Sequence, residues 1–271
     1  MIINFKNKQI ELGKETLIMG ILNTTTDSFS DGGDYTDVEK AFLHAKEMME
    51  DGASIIDVGG MSTRPGHKEI PIELELERVI PVIKKISKEL DVIISIDTYR
   101  WQVAEEAIKN GAHIINDIWG LQRDNGEMAK IASKYDVPII AMHNQDGINY
   151  DEDIMLSMRK FFERTFKIAK ENNISKDKII LDPGIGFGKD INLNLEVLNR
   201  LEEIKDMGPI LLGASRKGFI GKITNKENPK DRVIGTVTTT VIGVQKGVDI
   251  VRVHDIKENR DAILMAQAIL G

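Results

Sequence analysis

The chain has 271 residues, with 36 Lys and Arg against 43 Asp and Glu, so its formal net charge is −7 at pH 7. This acidic balance argues against non-specific binding to nucleic acid or to anionic membranes, because like charges repel. Cysteine is absent, which excludes disulfides, thiolate nucleophiles and Cys-ligated zinc. The N-terminus lacks a secretory signal pattern, and no apolar run reaches the ~20 residues of a membrane span. We therefore expect a soluble, cytoplasmic protein.

Eight short apolar runs, rich in Ile, Val and Leu, recur along the chain. Runs without polar alternation are typical of strands buried on both faces. They cover residues 17–22, 54–58, 92–96, 113–115, 138–142, 178–181, 209–212 and 249–253. Helical stretches lie between them, for example 102–109 and 193–207, which end at Asn-Gly and Gly-Pro stop signals. This alternation predicts a (β/α)8 barrel, with an open doubly wound sheet as the alternative.

The domain organisation follows from the evenness of this pattern. No Pro-, Gly- or Ser-rich linker, charge block or low-complexity tract interrupts it, so we expect one domain over residues 1–271. Residues 1–14 precede the first strand and have the pattern of a small hairpin. We expect this hairpin to plug the N-terminal end of the barrel.

Polar or ionisable residues follow every predicted strand. In a (β/α)8 barrel the active site lies at the C-terminal ends of the strands, so these residues are functional candidates. They are Asn23, Asp57, Asp97, Asn116, Asp117, His143, Asn144, Asp182, Ser215, Arg216, Lys217, His254 and Asp255. A single polar residue at a strand end is often only a helix N-cap, but function explains the whole ring better.

Two loops and a group of basic residues belong to the same end. The loops, 23–33 and 59–67, exceed the ~2–6 residues usual between strand and helix, and their Gly, Ser and Thr content is typical of mobile lids. The basic residues are Arg64, Arg216, Lys217, Arg252 and His254. In an acidic protein this concentration indicates an anionic ligand, phosphate or pyrophosphate. Salt bridging to neighbouring helices is the alternative, and it is favoured more for Arg216 than for Lys217 or Arg252.

Several motifs together resemble the dihydropteroate synthase family. Residues 19–23 with 27–33 resemble its first signature, and 57–60 with 62–66 resemble its second. Further motifs follow in the family's order: Ser95-Ile96-Asp97-Thr98, Ile115-Asn116-Asp117, Met142-His143-Asn144, Asp182-Pro183-Gly184-Ile185-Gly186-Phe187, Ser215-Arg216-Lys217 and Arg252-Val253-His254-Asp255. The match spans essentially the whole chain from Leu17.

The resemblance implies a (β/α)8 barrel, usually a homodimer, that performs one step of folate synthesis. Such an enzyme joins 6-hydroxymethyl-7,8-dihydropterin pyrophosphate to para-aminobenzoate and releases pyrophosphate, using Mg²⁺. Its partners would be these small molecules, and neither nucleic acid nor a membrane.

Side chains at the matching positions suit the pterin and its reaction. Asp182 can accept the two N–H donors of a guanine-like pterin edge, and Asn116 and Lys217 can satisfy the remaining ring heteroatoms. Arg252 can stack its planar guanidinium on the ring. Asp97 is the expected electrostatic stabiliser of the cation that forms as pyrophosphate leaves. The resemblance therefore implies Asp97, Lys217 and Arg252 as the catalytic residues.

The remaining expected contacts concern pyrophosphate, metal and the second substrate. A neutral amide oxygen suits an Mg²⁺ ion that is held mostly by pyrophosphate and water. The residues implied are Thr63, Arg64 and His254 for pyrophosphate, Asn23 for Mg²⁺, and Phe29 and Pro65 for the apolar wall around para-aminobenzoate.

Three positions depart from the family's usual pattern, and two other functions remain open. Thr26, Met61 and Gly218 stand where Pro, Glu and Ser are common in the family. A folate-to-corrinoid methyltransferase domain would also use a pterin-binding barrel, but it does not need the anion site at residues 215–217. A pterin-binding protein without catalysis would be favoured by loss of Asn23, Arg64 or Asp97, and all three are present.

Overall fold

The computed structural model describes residues 1–5, 8–24, 35–62, 66 and 68–271. Within them, eight strands form one parallel sheet in the order β8-β7-β6-β5-β4-β3-β10-β9. The strands are β3 (Leu17–Asn23), β4 (Ile55–Gly59), β5 (Ile93–Asp97), β6 (Ile114–Asp117), β7 (Ile139–Met142), β8 (Ile179–Asp182), β9 (Leu211–Leu212) and β10 (Ile250–Val253). A parallel bridge between Leu181 and Ile210 joins β8 to the residues before β9. The sheet therefore closes, and the predicted (β/α)8 barrel is confirmed over the open sheet.

Helices cover the outside of the barrel. They are α1 (Tyr35–Asp51), α2 (Ile72–Glu89), α3 (Trp101–Lys109), α4 (Glu127–Tyr135), α5 (Ile154–Glu171), α6 (Ile191–Asn199), α7 (Gly218–Thr224), α8 (Val233–Gln245) and α9 (Ile256–Leu270). The predicted helix 102–109 agrees with α3 within one residue. The prediction of one helix over 193–207 is wrong, because α6 ends at Asn199 and a 3₁₀ turn, Leu201–Ile204, follows it. Leu201 and Ile204 are fully buried, and a spacing of three residues puts both on one side of a 3₁₀ turn.

The lower interior of the barrel is filled by one apolar side chain from the beginning of each strand. These side chains are Met19, Ile55, Ile93, Ile114, Ile140, Ile180, Leu211 and Ile250. The same cluster includes Ile3, Ile10 and Leu12 from the N-terminal segment, in which β1 (Ile2–Phe5) pairs antiparallel with β2 (Lys8–Glu11). The N-terminal hairpin thus plugs the N-terminal end of the barrel, as the sequence predicts.

This arrangement leaves the opposite end of the barrel for polar side chains. Side chains near the C-terminal ends of β4, β5, β6, β8 and β10 face a shared mouth, because all of these strands run in the same direction. They are Asp57, Asp97, Asn116, Asp182 and Arg252. Among the helices that the structure describes, none is long and apolar enough to cross a membrane.

Candidate active site

A buried arginine joins two carboxylates across the barrel mouth. Arg252 in β10 contacts Asp57 in β4 through Nε, at 2.6 Å from Oδ2. Its Nη2 contacts Oδ2 of Asp97, the last residue of β5, also at 2.6 Å. Asn116 in β6 pairs with Asp97 in the strand register and donates from Nδ2 to Asp57 Oδ2 at 3.0 Å. The structure therefore brings together Asp97, Asn116 and Arg252, and it adds Asp57 to them.

Arg252 thus forms ion pairs, although the sequence analysis favoured salt bridging less for it than for Arg216. Its partners are carboxylates inside the barrel, and not residues on the outer helices. Arg216 pairs with Asp255, with Nε donating to Oδ2 at 3.0 Å, as the salt-bridge alternative expected. The two arginines therefore have different roles. Arg252 joins two carboxylates in the mouth, whereas Arg216 connects its loop to Asp255 at the start of α9.

Each of the two carboxylates has one oxygen that contacts no donor in the described part of the chain. Asp57 Oδ1 and Asp97 Oδ1 are buried and have no hydrogen-bond partner within the described residues. Burial raises the pKa of Asp97 to about 7, with Asp57 and Glu75 adding to the rise and Arg252 opposing it. Buried acceptors of this kind need a donor, so the mouth is suited to a ligand that carries N–H groups.

Asp182 lies beside this cluster at the end of β8. Its side chain is buried, and its Oδ1 accepts a hydrogen bond from the Gly184 N–H at 2.8 Å. Asp182 Oδ2 and Arg252 Cδ approach Gly213 from the same side, 3.6 and 4.0 Å from the position a Cβ would take there. Burial raises the pKa of Asp182, whereas Lys217, Arg252 and Lys189 lower it. A carboxylate with this setting can accept N–H donors from a ligand in the mouth.

Lys217, the residue directly before α7, lies close to the mouth. Its Nζ lies 4.2 Å from the ring centroid of Phe187, in a cation–π contact. Phe187 belongs to an apolar cluster with Met61, Tyr99, Ile118 and Met142, all at or just beyond strand ends. This cluster supplies an apolar wall to the mouth. The sequence analysis did not single out Phe187, although its position between Gly186 and Gly188 was a signal of a bulky side chain on a tight turn.

His254 and Ser215 form a hydrogen-bonded pair at the ends of neighbouring strands. Ser215 Oγ lies 2.9 Å from His254 Nδ1, and it accepts the His254 backbone N–H at 3.2 Å. The hydroxyl proton is then available to Nδ1, and a neutral imidazole arranged this way carries its proton on Nε2. The pair fixes the orientation of His254. Ser215 is one of the strand-end candidates named from the sequence, but the sequence analysis assigned it no specific role.

Asp117, in contrast, serves the backbone. Its carboxylate accepts the N–H groups of Trp119 and Leu121 at 2.9 and 2.7 Å. This is the capping role that the sequence analysis weighed for single strand-end residues. The ring of polar residues is therefore mixed, with Asp117 and Arg216 stabilising loops while the others surround the mouth.

Asn23 lies exposed at the end of β3, near Asp97. Its Oδ1 and Asp97 Oδ2 are 3.9 and 3.6 Å from the position a Cβ would take on Gly59. Within the described residues, no group of three or more His, Asp or Glu side chains could hold a metal ion. Any metal here would need most of its ligands from elsewhere.

Several expected site residues lie outside the part of the chain that the structure describes. They are Phe29, Thr63, Arg64 and Pro65, together with Thr26 and most of the two long loops that we expect to be lids. Of the other departures from the family pattern, Met61 is buried in the apolar cluster. Gly218 is exposed, and a Cβ added there would meet no described atom within 4 Å.

Comparison with known proteins identifies the class of this site. Residues 19–254 match the family described as pterin binding enzyme. The dihydropteroate synthase of Clostridium beijerinckii is 50% identical over 266 residues, which cover 97% of this chain and 98% of that protein. The crystal structure of a Clostridium difficile dihydropteroate synthase in the presence of pteroic acid aligns with a TM-score of 0.93 and 56% identity, over 96% of this chain and 98% of that one. The structure of the Xanthomonas albilineans dihydropteroate synthase with 4-aminobenzoic acid aligns with a TM-score of 0.90 and 36% identity. The alignment covers 95% of this chain and 94% of that one.

The fold, the mouth and the family match define a pterin-binding enzyme. More specifically, the chain belongs to the dihydropteroate synthase family. It is a transferase that condenses 6-hydroxymethyl-7,8-dihydropterin pyrophosphate with para-aminobenzoate to give 7,8-dihydropteroate and pyrophosphate. The family assignment made from the sequence motifs is confirmed.

Proposed function

We propose that the pterin ring binds in the barrel mouth, with its N–H edge on Asp182 and its reacting carbon near Asp97. The observation that carries this proposal is the buried carboxylate cluster around Arg252, in which Asp57 Oδ1 and Asp97 Oδ1 have no donor among the residues that the structure describes. A dihydropterin is flat and has N–H groups on both sides. It can therefore supply the donors that these buried oxygens need.

The contacts of Arg252 and Asn116 orient both side chains for this ligand. Asp57 and Asp97 occupy the edge of the guanidinium, so its planar faces are left for an aromatic ring. Because Asn116 donates its Nδ2 protons toward Asp57, its amide oxygen is available to accept from the ring. Lys217 completes the set as a donor to the ring heteroatoms.

The charge balance of the mouth suits the chemistry of the transfer. The C–O bond to pyrophosphate breaks with the electron pair on oxygen, which leaves a cation delocalised into the dihydropterin. Asp57, Asp97 and Asp182 face Arg252 and Lys217 among the described side chains of the mouth. Once Asp97 has lost its proton, above its pKa of about 7, the three carboxylates outnumber the two cations and their field stabilises the forming cation. The arylamine nitrogen is neutral and attacks the methylene carbon, and the resulting anilinium is acidic enough to lose its proton to water without a strong base.

Pyrophosphate is proposed to lie beside His254, Thr63 and Arg64. The Ser215 contact supports a neutral His254 that presents an Nε2 proton, a suitable donor to a phosphate oxygen. Mg²⁺ fits next to Asn23, because an amide oxygen and the nearby Asp97 carboxylate are hard oxygen donors. With so few protein ligands, the ion would depend on pyrophosphate and water, and when bound it would neutralise charge on the leaving group.

Para-aminobenzoate is proposed to bind against an apolar wall formed by Phe29 and Pro65. Phe187 would add to this wall, and its ring centroid lies 4.2 Å from Lys217 Nζ. Lys217 is then near enough to serve the carboxylate of the substrate as well as the pterin. The open space around Gly218 leaves room for that carboxylate where relatives commonly carry Ser.

Replacing Asp182 by Asn tests the orientation of the pterin. The amide presents N–H to N–H, so the affinity for 6-hydroxymethylpterin measured by calorimetry should fall roughly ten- to hundredfold, the cost of an unpaired buried group. The matched control is Asp190→Asn, since Asp190 caps α6 from an exposed position and Asn caps equally well. Unchanged affinity in Asp182→Asn would contradict the proposed orientation.

We also propose that the enzyme acts as a homodimer through α8 and α9. Large apolar side chains lie exposed on these two packed helices, among them Ile234 at 83%, Met265 at 63% and Ile269 at 71% exposure. Large apolar side chains that lie exposed on neighbouring helices are typical of an interface. The double variant Ile234→Glu, Met265→Glu should elute as a monomer in light-scattering chromatography, whereas Leu156→Glu on α5 should remain dimeric. A monomeric wild-type protein at micromolar concentration would contradict the proposal.

The proposed working unit is the whole chain, residues 1–271, acting as one barrel domain. The plugged lower end and the functional mouth share the same eight strands, so neither is complete without the full barrel. We propose the cytoplasm as its location, since a chain without cysteine suits a reducing compartment.

A further inference from the structure

A buried lysine lies directly behind the proposed pterin site. Lys189 ends the turn 183–189 that follows β8, and it is 7% exposed. Its Nζ lies 2.9 Å from His143 Nδ1 and 3.0 Å from each of the carbonyl oxygens of Gly184 and Phe187. An ammonium group has three protons, so each acceptor receives one. The proposed reaction has not used this residue.

The two carbonyl groups belong to residues that touch the site. The Gly184 N–H donates to Asp182 Oδ1 at 2.8 Å, and the Phe187 ring contacts Lys217 Nζ. Gly184 has φ of +66°, and a Cβ there would lie 2.0 Å from the His143 carbonyl oxygen. The turn therefore packs closely against the residue that follows β7. Lys189 holds the turn by hydrogen bonds to the carbonyl groups of Gly184 and Phe187.

Lys189 also acts on Asp182 through its charge. The cations that lower the pKa of Asp182 are Lys217 from the start of α7, Arg252 from β10 and Lys189 from the turn, while burial raises it. Burial lowers the pKa of Lys189 itself to about 7, with Asp182 opposing this and Lys217 adding to it.

The neighbour that accepts from Lys189 remains neutral. Burial, then Lys189 and Arg164, hold the pKa of His143 well below its usual range. Across the acid range in which a buried aspartate titrates, Lys189 therefore keeps its proton and faces a neutral imidazole.

We propose that Lys189 is a positioning residue for the dihydropterin, which it does not touch. It holds the turn that orients Asp182, and it favours the ionised form of Asp182 that accepts the two pterin N–H donors. This inference rests on the proposed role of Asp182 in binding the pterin. It accounts for the burial of an ammonium group, which costs free energy unless each proton is paired.

The test compares Lys189→Met with Lys189→Arg, and uses Lys170→Met on the exposed face of α5 as the matched control. The affinity for 6-hydroxymethylpterin is measured by calorimetry from about pH 4 to about pH 6, a range in which shifted carboxyl groups titrate and which lies below the pKa of Lys189, about 7. A thermal melt of each variant reports folding. Because Asp97 titrates in the same mouth, each variant is also made in an Asp182→Asn background, where any remaining pH dependence belongs to groups other than Asp182.

Lys189→Met should bind pterin roughly tenfold more weakly at about pH 6, an effect of losing ordered hydrogen bonds. The fall in affinity toward low pH, here called the acid limb, should move up by about one pH unit. Lys189→Arg keeps the charge but not the three-way geometry, so its affinity should fall while its acid limb stays near that of the wild type. In the Asp182→Asn background, Lys189→Met should leave the remaining limb unmoved. Lys170→Met should match the wild type throughout.

The inference is overturned if folded Lys189→Met retains both the affinity and the acid limb of the wild type. If Lys189→Met does not fold, Lys189→Arg decides: an upward shift of its acid limb overturns the electrostatic role, and full affinity overturns the positioning role. Failure of the proposed function is separate, because it would appear as unchanged affinity in Asp182→Asn alone. Weak binding by Asp182→Asn together with normal binding by Lys189→Met would sink only the inference about Lys189.

Discussion

Arg252 illustrates how one side chain organises the barrel mouth. It contacts two carboxylates, each at 2.6 Å, but it neutralises the charge of only one. The excess negative charge is one reason why the pKa of Asp97 rises to about 7 despite the ion pair, burial being the largest. Lysine could not reproduce both contacts, because an ammonium lacks the flat, two-sided geometry of the guanidinium.

The raised pKa of Asp97 leads to a prediction about stability. The folded protein retains a proton on Asp97 up to about pH 7, whereas in the unfolded chain the carboxyl loses it near the ordinary value of 3.8. The contribution of Asp97 to the free energy of unfolding is therefore fully present below its ordinary pKa. It is lost as the pH rises toward 7, by at most about 4 kcal/mol. We expect Asp97→Asn to make this downward slope in the free energy of unfolding less steep between these pH values, measured by urea denaturation.

The control for this measurement is Asp151→Asn, since Asp151 is exposed and its loss should leave the slope of the wild type. The comparison uses the slope and not the absolute stability, because Asp97→Asn also removes a partner of Arg252. A slope in Asp97→Asn equal to that of the wild type would contradict the assignment of the titration to Asp97.

Sequence reasoning identified the site residues that lie at strand ends. Asp97, Asn116 and Asp182 each close a continuous apolar run, so their place at the mouth follows from parallel strands alone. It did not find Lys189 or the full role of Asp57. The contacts of Lys189 depend on the left-handed backbone of Gly184 and on the path of the turn, and the Asp57 contact depends on which side chains meet across a closed barrel.

At the scale of elements, the N-terminal hairpin is tied to the barrel by apolar contacts. Ile10 is 3% exposed and lies in the cluster that fills the lower interior. We expect Ile10→Ala to lower the free energy of unfolding by about 2–4 kcal/mol, because it leaves a cavity in a layer that cannot collapse. Urea denaturation measures the effect, and pterin affinity at low temperature should be unchanged, since the mouth is at the other end.

Ile2→Ala provides the matched control for the hairpin. Because Ile2 is 50% exposed, this substitution should lower the free energy of unfolding much less. Equal and small effects of both substitutions would show that the hairpin does not stabilise the barrel.

Strand positions were predictable here within one or two residues, since burial on both faces enforces long apolar runs. The break after α6 was not, because Leu193 to Met207 has no Gly or Pro inside it, and the 3₁₀ turn is set by packing of Leu201 and Ile204.

At the scale of the whole molecule, the barrel separates stability from function. Its lower end is a filled apolar layer. Its mouth holds buried carboxylates, and two of their oxygens have no partner outside the undescribed segments 6–7, 25–34, 63–65 and 67, which is costly to the fold. Such charges are retained where a ligand uses them. The closed parallel sheet follows from the alternation of strands and helices in the sequence, whereas the meeting of β10 with β4 and β5 across the mouth follows only from closure.

The most direct test of this account is the release of pyrophosphate by the purified enzyme. We expect release from 6-hydroxymethyl-7,8-dihydropterin pyrophosphate only when para-aminobenzoate is also present, with one dihydropteroate formed for each pyrophosphate. Arg252→Ala should lose this activity while remaining folded by circular dichroism, since it leaves Asp57 and Asp97 without their shared cation. Equal release of pyrophosphate with and without para-aminobenzoate, or full activity in Arg252→Ala, would contradict the account.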